Sequence, residues 1–390
     1  MKFKAALLKL TEKNVITLLL LITVGIAIQC FVAGKGNQYT HYNNYMIFKS
    51  SFEHLIHNKN LYQPYPTDHF DLYKYSPAFA LFMGLFYKLP DWLGLIIFNL
   101  LNTVILITAL RRLELPLEKM KFLLLFILIE LAISLSMTQT NALIAGLIIL
   151  GFTYLEDDKP LIAALLISLT VFIKLFGLVA FVLWFLYPHK GKFILYSILW
   201  FIVLTFIPLI VVTPAELFNK YSYWLTLLKN DHDASYGISF MGWMYSWFGL
   251  DLPKAATVGV AALLFCIPLI KVKLYKLYTF RLQMLASTLL WVIIFNHRGE
   301  NPTYIIAMAG VAIWYFSQKP NKANTILLWL ALIFTSFTST DLITPGWIAD
   351  KYVEPYCIKT IFCCIIWFKL QFDLLMEKSV SALPKISNEN

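Results

Sequence analysis

Charged residues are scarce in this sequence, and their scarcity limits the class of protein. Asp, Glu, Lys and Arg make up 14% of the 390 residues, whereas 59% are hydrophobic. The mean hydropathy is +0.69. A soluble chain of this length does not have enough interior to bury that much apolar surface. The sequence therefore predicts a polytopic membrane protein and excludes an ordinary soluble domain.

The motifs of several common mechanisms are also missing. No GxxxxGK[ST], HExxH or GxSxG element occurs, which argues against ATP-driven transport and the common hydrolase mechanisms. The five cysteines lie in or beside apolar runs without CxxC spacing, so we interpret them as buried thiols. In a membrane protein the net charge of +10 is an orientation signal rather than a sign of nucleic acid. We expect no cofactor, no divalent metal and no nucleic-acid partner.

Basic residues give the predicted orientation. The first apolar span, 15–34, is preceded by Lys2, Lys4, Lys9 and Lys13, which places the N-terminus in the cytoplasm. This span is long enough to be a permanent anchor, so a cleavable signal peptide is not expected. Continued along the chain, the charge rule gives about twelve crossings with both termini inside. We predict an all-α polytopic fold in which residues 1–390 form one integral membrane domain.

The predicted domain has six consecutive parts. They are a first transmembrane helix (15–34), a large outer loop with amphipathic and re-entrant helices (35–90), transmembrane helices (91–212), a second outer loop (213–253), further transmembrane helices (254–372) and a cytoplasmic tail (373–390). In the first loop, Tyr45, Phe48 and Leu55 recur at helical spacing, so one face of this helix is expected to lie on lipid. The run 76–89 is too short for a comfortable crossing and is predicted to be re-entrant or interfacial.

With this orientation, polar side chains collect on the outer face. They come from the first loop, the turn TQTN, the junction of two short crossings within 160–187, and the segment NHRGEN: Asn44, Asp68, Asp71, Lys74, Gln139, Asn141, Lys174, His297, Arg298 and Glu300. A charge at bilayer depth, such as Lys174 or Arg298, needs a counter-ion, a water-filled cavity or an anionic ligand. We expect an anionic lipid headgroup as the ligand, with Glu300 as a counter-ion being the alternative.

Several blocks of the sequence resemble, in order, those of glycosyltransferase family 87. They are NNYMIFKSSFEHLIHNKNLY, DLYKYSPAFALFMGLFYKLP, TQTNALIAGLIILGFTYLEDDKPLIAALLISLTVFIKLFGLV and NHRGENPTYIIAMAG. The resemblance covers most of residues 15–317. It implies a GT-C fold and inverting transfer of a sugar, mannose in this family, from a polyprenyl phosphate to an acceptor hydroxyl.

The resemblance extends to single positions. Gln139 and Asn141 match a glycine–glutamine–x–asparagine element, in which Thr138 replaces the glycine. Lys174 matches the lysine of a lysine–proline–tyrosine–proline block. Negative charge grows on the departing phosphate, so Lys174 and Arg298 are expected to stabilise it. The residues expected to hold the sugar or the acceptor are Asn44, Asp68, Lys74, Gln139 and Asn141.

One departure concerns the general base. The resemblance implies an aspartate at the position of Asn44, and a carboxamide cannot take a proton from an acceptor hydroxyl. Asp71 or Asp68 on the same loop is one substitute, with Asp71 preferred. Glu300 or His297 is another, from the opposite side of the cavity. Binding of a lipid-linked sugar without turnover is the third alternative.

Two weaker polar signals are also present. Asp231, His232 and Asp233 form a DxD-like triplet, which we interpret as a solvated turn rather than a metal site. Glu130 lies inside a predicted crossing. It is either a functional buried acid or a hydrogen-bond partner between helices.

The remaining observations concern class and location. Trp243 and Trp247 are expected either to contact sugar or prenyl chain, or to belong to an interfacial aromatic belt. A transporter or flippase is the rival class, but the short segments 76–89 and 160–187 do not recur at a matching offset, as internal repeats would. A non-catalytic scaffold is a further alternative. The predicted location is the bacterial inner (plasma) membrane, and the predicted partners are a polyprenyl-phosphate sugar, a lipid or glycan acceptor and the bilayer.

Overall fold

The structure of the protein, a computed structural model, describes residues 10–34, 39–231, 235–340 and 343–376. Within these ranges the chain forms helices and no β-strands. The α-helices are α1 (Glu12–Ala33), α2 (Asn43–Ile56), α3 (Pro77–Phe82), α4 (Gly84–Tyr87), α5 (Asp91–Arg111), α6 (Leu117–Phe126), α7 (Leu128–Ser136), α8 (Asn141–Glu156), α9 (Pro160–Ile173), α10 (Lys190–Phe206), α11 (Pro214–Asp231), α12 (Phe240–Phe248), α13 (Lys254–Cys266), α14 (Tyr278–Ile294), α15 (Tyr304–Phe316), α16 (Lys322–Ala331), α17 (Gly346–Ile348) and α18 (Ile358–Met376).

Shorter 3₁₀ or π-helical segments connect or extend these helices. They are Leu175–Leu186, Ile207–Ile210, Ile267–Ile270, Val272–Lys276, Asn301–Thr303, Leu332–Ser336, Phe337–Ser339 and Ala349–Val353. Some predicted features lie outside the described residues: Lys2, Lys4, Lys9, His232, Asp233 and the tail from residue 377 onward.

Three of the described helices are long and apolar enough to cross a membrane. They are Glu12–Ala33, Asp91–Arg111 and Lys190–Ile210, and several shorter apolar helices accompany them. The first and third keep most of their surface outside the protein interior, since only 28% and 22% of their most apolar windows are buried. Exposed apolar helices of this length are typical of an integral membrane protein.

The core is formed by helices that are apolar on every side. In α8, 13 of 16 residues are buried, and in α15 11 of 13 are buried. Helix α8 packs between α5 and α9, while α15 packs against α14. Gly310 allows α14 and α15 to approach closely, because a Cβ at this position would lie 2.8 Å from the carbonyl oxygen of Ala286. The turn TQTN leads into α8, and the segment NHRGEN leads into α15. Both segments are therefore attached to well-buried helices.

Local sequence explains where several helices begin and end. The Thr11 side chain accepts a hydrogen bond from Asn14 N at the start of α1, and Gly34, with φ of 63°, follows its end. Ser76 caps α3 by accepting from Phe79 N, and Pro77 occupies the first turn, where its missing N–H costs nothing. Ser76 also donates to the carbonyl of Phe172, which joins α3 to the end of α9.

The helices of the first loop pack against one another. Helix α2 forms as predicted, but Tyr45, Phe48 and Leu55 are each at most 1% exposed. Their rings and methyl groups pack against α3, α4 and neighbouring aromatic side chains. The expectation that this face lies on lipid is therefore wrong, because the two short helices within 76–89 cover it.

Two segments contain more helix than their hydropathy indicates. The segment 213–253, predicted as an outer loop, contains helices α11 and α12. Helix α18 continues to Met376, past the predicted start of the tail at residue 373. Both differences arise because amphipathic helices contain enough polar residues to resemble loops in hydropathy.

Ion pairs join helix ends at the side of the bundle opposite the NHRGEN segment. Arg281 donates to both carboxylate oxygens of Glu156, at 2.6 and 2.5 Å, and thereby connects α14 to α8. Arg112 reaches Asp157 at 2.5 Å. The charges of Arg281 and Arg112 are therefore paired at this end.

Candidate active site

The protein contains a cavity of about 820 Å³. It is bounded by the first loop, the turn between α7 and α8, the junction at Lys174 after α9, helices α11 and α13, and the segment after α14. Its lining is polar at one end and apolar at the other. The polar residues are Asn44, Asp71, Lys74, Tyr75, Gln139, Lys174, Lys254, Asn296, His297, Arg298 and Glu300. The apolar end is lined by Leu178, Val179, Val258, Ala262, Trp291 and Val292, among others.

Lys174 supplies a cation held by neutral groups. It is the residue between α9 and the 3₁₀ segment Leu175–Leu186, in extended conformation. Its Nζ donates to Gln139 Oε1 and to Asn141 Oδ1, each at 3.1 Å. Neither amide carries charge. Burial lowers the pKa of the Lys174 ammonium group to about 8, and the nearby Glu300 carboxylate acts to raise it. The Lys174 side chain therefore suits an anionic ligand.

The TQTN turn positions these amides. Thr138 has a left-handed φ of 47°, at the position where the resemblance expects glycine, which adopts this conformation without strain. Its Oγ1 accepts from Tyr45 N at 3.1 Å. Asn141 is fully buried and donates from Nδ2 to Pro302 O at 2.9 Å. The turn is thus joined to both the first loop and the start of α15.

Tyr75 extends this network toward the cavity. Its hydroxyl donates to Gln139 Oε1 at 3.3 Å, and its ring lies 5.7 Å from Lys174 Nζ. Burial, with a further contribution from the Glu300 carboxylate, raises the pKa of the Tyr75 hydroxyl well above its usual value. Tyr75 therefore remains a neutral donor.

Asp71 presents a carboxylate at the polar end. It adopts a left-handed φ of 69°, which is uncommon for a non-glycine residue outside Asn and Asp. Its Oδ1 accepts from Leu72 N at 2.7 Å, and the same atom lies 3.6 Å from Lys74 Nζ. The side chain is 53% exposed, so it is accessible to a ligand.

The segment 296–300 forms the opposite wall. Asn296 Oδ1 accepts from Arg298 N at 2.9 Å. Glu300 N donates to Thr303 Oγ1 at 3.2 Å, which leaves the exposed Glu300 at the start of the turn that leads into α15. Its carboxylate is close enough to interact electrostatically with Lys174 and Tyr75.

Asn44 lies in the cavity as an oriented amide. Its Nδ2 donates to Met137 O at 2.8 Å. An ionised aspartate at this position would face that carbonyl oxygen without a proton to donate. The local geometry therefore fits asparagine, and Asn44 serves as a hydrogen-bonding group rather than a base.

Asp68 lies away from the cavity. Its Oδ2 is 3.0 Å from Nε2 of the buried His54. Partial burial acts to raise the pKa of Asp68, but the hydrogen bonds from His54 and Thr67 hold it below its usual value. Asp68 does not line the cavity, and its carboxylate is hydrogen-bonded to His54 within the first loop. Its position therefore does not support the interpretation of Asp68 as a base or a sugar ligand.

Two tryptophan residues of the site were not predicted. Trp224 and Trp291 line the cavity, whereas Trp243 and Trp247 do not. Trp224 donates to Lys74 O at 3.1 Å, and Trp247 donates to Tyr356 O at 2.8 Å. In a chain rich in aromatics, no pattern in the sequence distinguishes the two pairs.

Glu130 has a partner that the sequence did not reveal. Its Oε1 lies 2.7 Å from Nζ of Lys359 on α18, and both side chains are buried. The helix–helix interpretation of Glu130 is therefore confirmed.

The structure describes no group of three or more His, Cys, Asp or Glu side chains that could hold a metal within residues 10–34, 39–231, 235–340 and 343–376.

Fold and cavity together define a helical membrane protein with an amphipathic pocket around a cation. The sequence profile of glycosyltransferase family 87 matches residues 73–340, which is most of the chain. The protein therefore belongs to glycosyltransferase family 87 and is a membrane glycosyltransferase. Comparison with curated proteins gives no significant match. Lys174, Gln139 and the segment 297–300 lie inside the matched range, whereas Asn44 and Asp71 precede it.

Proposed function

We propose that the protein transfers a hexose, mannose by family resemblance, from a polyprenyl phosphate to a hydroxyl of a lipid or glycan acceptor. The observation that carries this proposal is the ammonium group of Lys174, held in the cavity by two neutral amide oxygens. A phosphate group is the ligand whose charge this arrangement complements.

The two ends of the cavity support a lipid-linked donor. The polar end accommodates a sugar and its phosphate, and the apolar end, with Leu178, Val258 and Ala262, accommodates the first units of a prenyl chain. A volume of about 820 Å³ suffices for such a headgroup but not for a complete polyprenol. The remainder of the chain would stay in the bilayer.

The proposed reaction uses a base and a cationic cluster. Asp71 takes the proton of the acceptor hydroxyl, whose oxygen attacks the anomeric carbon from the face opposite the phosphate. The C1–O bond breaks, its electron pair remains on the phosphate oxygen, and the sugar inverts at C1. Lys174 and Arg298 stabilise the negative charge that develops on the phosphate. Gln139 and Asn141 hold Lys174, while Asn44 and Lys74 face the sugar and acceptor.

Asp71 is the preferred base because it combines exposure in the cavity with a fixed backbone. Glu300 and His297, on the opposite wall, are the alternatives. The negative charge of Glu300 already offsets part of the charge of Lys174, which favours a structural or sugar-binding role for Glu300.

The proposed site faces the outer side of a bacterial plasma membrane. Basic residues then lie inside, with about twelve crossings and both termini in the cytoplasm. A lipid-linked donor suits this side, because nucleotide-activated sugars made in the cytoplasm do not reach it.

The test is transfer by the purified protein from radiolabelled polyprenyl-phosphate mannose to a membrane lipid extract. Asp71→Asn is a matched variant, since asparagine tolerates the left-handed backbone and its Oδ1 can still accept from Leu72 N. We expect transfer to fall by about 10²- to 10⁴-fold with unchanged thermal stability. Glu300→Gln, measured in parallel, should lose less. A larger loss for Glu300→Gln would assign the base to Glu300.

A second candidate is binding of the lipid-linked sugar without turnover, which the amide at Asn44 favours. It predicts donor binding by the wild type and transfer only by Asn44→Asp. We expect instead that Asn44→Asp is no more active than the wild type, because its carboxylate would face Met137 O. A wild type that neither binds nor transfers would indicate another donor or a transporter.

A further inference from the structure

A buried ion pair joins α7 to α18. Lys359 and Glu130 are 2% and 0% exposed, and their N–O distance is 2.7 Å. Removing two charges from water costs about as much as their attraction returns, so apolar residues of similar size would stabilise the fold as well or better. The other contacts of the Lys359 ammonium group indicate what else the pair does.

The same ammonium group reaches the wall of the cavity. Lys359 Nζ donates to Asn301 Oδ1 at 2.7 Å and lies 5.1 Å from the centre of the Tyr304 ring. Asn301 directly follows Glu300, and it begins the turn Asn301–Thr303. Glu130, Lys359 and Asn301 do not line the cavity, so they act from behind it.

Another part of the same segment is held by close backbone contact. Ile238 N donates to Gly299 O at 2.7 Å, and a Cβ at Gly299 would lie 2.4 Å from Ile238 O. The segment 296–301 is thus held by main chain at Gly299, and at Asn301 by the Lys359 side chain and by Ser339 O, which accepts from Asn301 Nδ2 at 3.4 Å. Loss of either support would let Glu300 and Arg298 move relative to Lys174.

We propose that Glu130 and Lys359 are positioning residues: their ion pair presents a fixed ammonium group to Asn301 and so holds the segment 296–301 in its productive place. The effect on turnover rests on the proposed function. The effect on the order of the segment does not.

The test uses two variants that remove the connection in different ways. Asn301→Leu removes the amide and keeps the ion pair. Glu130→Leu combined with Lys359→Met replaces the pair by apolar side chains, which should preserve folding. The control is Lys220→Met, since Lys220 is also a buried lysine and holds a different loop through Asn58 Oδ1 at 3.2 Å and Lys59 O at 3.1 Å.

Hydrogen–deuterium exchange and steady-state kinetics give the two readouts. Both test variants should raise exchange in residues 296–303 and lower kcat by about 10- to 100-fold, because small misplacements of reacting groups are costly. The donor KM should change less than kcat. A third variant, Asn301→Asp, keeps an oxygen for Lys359 and should restore most of kcat. Lys220→Met should affect exchange near residues 57–60 and leave kcat unchanged.

The outcomes separate this inference from the proposed function. Unchanged exchange in residues 296–303, or unchanged kcat in variants with raised exchange, would overturn the positioning role. A kcat lost equally in Asn301→Leu and Asn301→Asp would overturn it as well. If the wild type transfers no sugar from any polyprenyl phosphate supplied, the proposed function fails, and the exchange measurements alone decide whether the pair holds the segment.

Discussion

Lys174 is the most informative residue to change, because the hydrogen bonds of its ammonium group go to uncharged amides. Lys174→Met keeps the length of the side chain and removes the ammonium group that donates to Gln139 and Asn141. We expect transfer to fall by about 10²- to 10³-fold, as when one donor to a developing anion is removed. The measurement is kcat/KM with the polyprenyl-phosphate donor.

A matched control comes from the opposite end of the bundle. Lys119 is also partly buried, and it donates to the main-chain carbonyls of Phe316 and Gln318 at 2.8 and 3.0 Å. Lys119→Met should lower thermal stability slightly without changing kcat/KM. Equal losses of transfer in both variants would mean that Lys174 is needed only for folding.

His54 gives the first loop a dependence on pH. Burial lowers the pKa of its imidazole below the usual 6.5, outweighing the hydrogen bond to Asp68, which acts to raise it. The unfolded chain therefore binds the proton more readily than the folded protein. The stability from His54 is complete above pH 6.5 and is lost as the pH falls through the lowered pKa.

The corresponding measurement is the unfolding temperature in detergent between pH 8 and 5. The wild type should lose stability below about pH 6.5, and His54→Gln should lose less over the same interval. Some dependence should remain, since burial also lowers the pKa of His69. The same pH dependence in both proteins would show that His54 is not responsible.

At the scale of the helix, close packing at glycine decides which substitutions are tolerated. Gly310 on α15 faces α14, where a Cβ would lie 2.8 Å from Ala286 O and 3.2 Å from Leu290 N. Both are main-chain atoms and cannot rotate away. Gly310→Ala should therefore separate the two helices and destabilise the protein by about 1–3 kcal/mol.

Gly25 on α1 provides the matched comparison. A Cβ there meets nothing within 4 Å, and alanine is the better helix former by up to about 1 kcal/mol. Gly25→Ala should therefore leave the unfolding temperature unchanged or raise it, while Gly310→Ala lowers it. A similar shift in both variants would argue against direct contact between α14 and α15.

Hydropathy and charge predicted many of the helices, because apolar length and flanking lysines are local properties of the sequence. The junction of two short crossings predicted within 160–187 is found at Lys174, between α9 and the segment Leu175–Leu186. The pairing of Glu130 with Lys359 could not be predicted, since the two residues are 229 positions apart. The same holds for Asp68, whose use inside the loop depends on tertiary folding.

For the whole molecule, the proposed orientation can be tested by cysteine labelling. In the described part of the chain Cys266 is the exposed cysteine and four others are buried. The substitution Cys266→Ser therefore removes the accessible thiol before new cysteines are introduced. Lys351→Cys, on the cavity side, should react with a membrane-impermeant maleimide in intact cells. Lys319→Cys, after α15 at the opposite end, should react only once the membrane is permeabilised. The reverse pattern would place the cavity in the cytoplasm.

The positive charge of Lys174 also predicts that a product of the proposed reaction inhibits the enzyme. A donor phosphodiester carries one negative charge, whereas the phosphomonoester released from it carries about 1.5 to 2 at neutral pH. A pocket that stabilises the departing phosphate must therefore retain it afterwards. Under the proposed function, we therefore expect free polyprenyl phosphate to compete with the donor at concentrations below the donor KM, so that the spent carrier lipid inhibits further transfer.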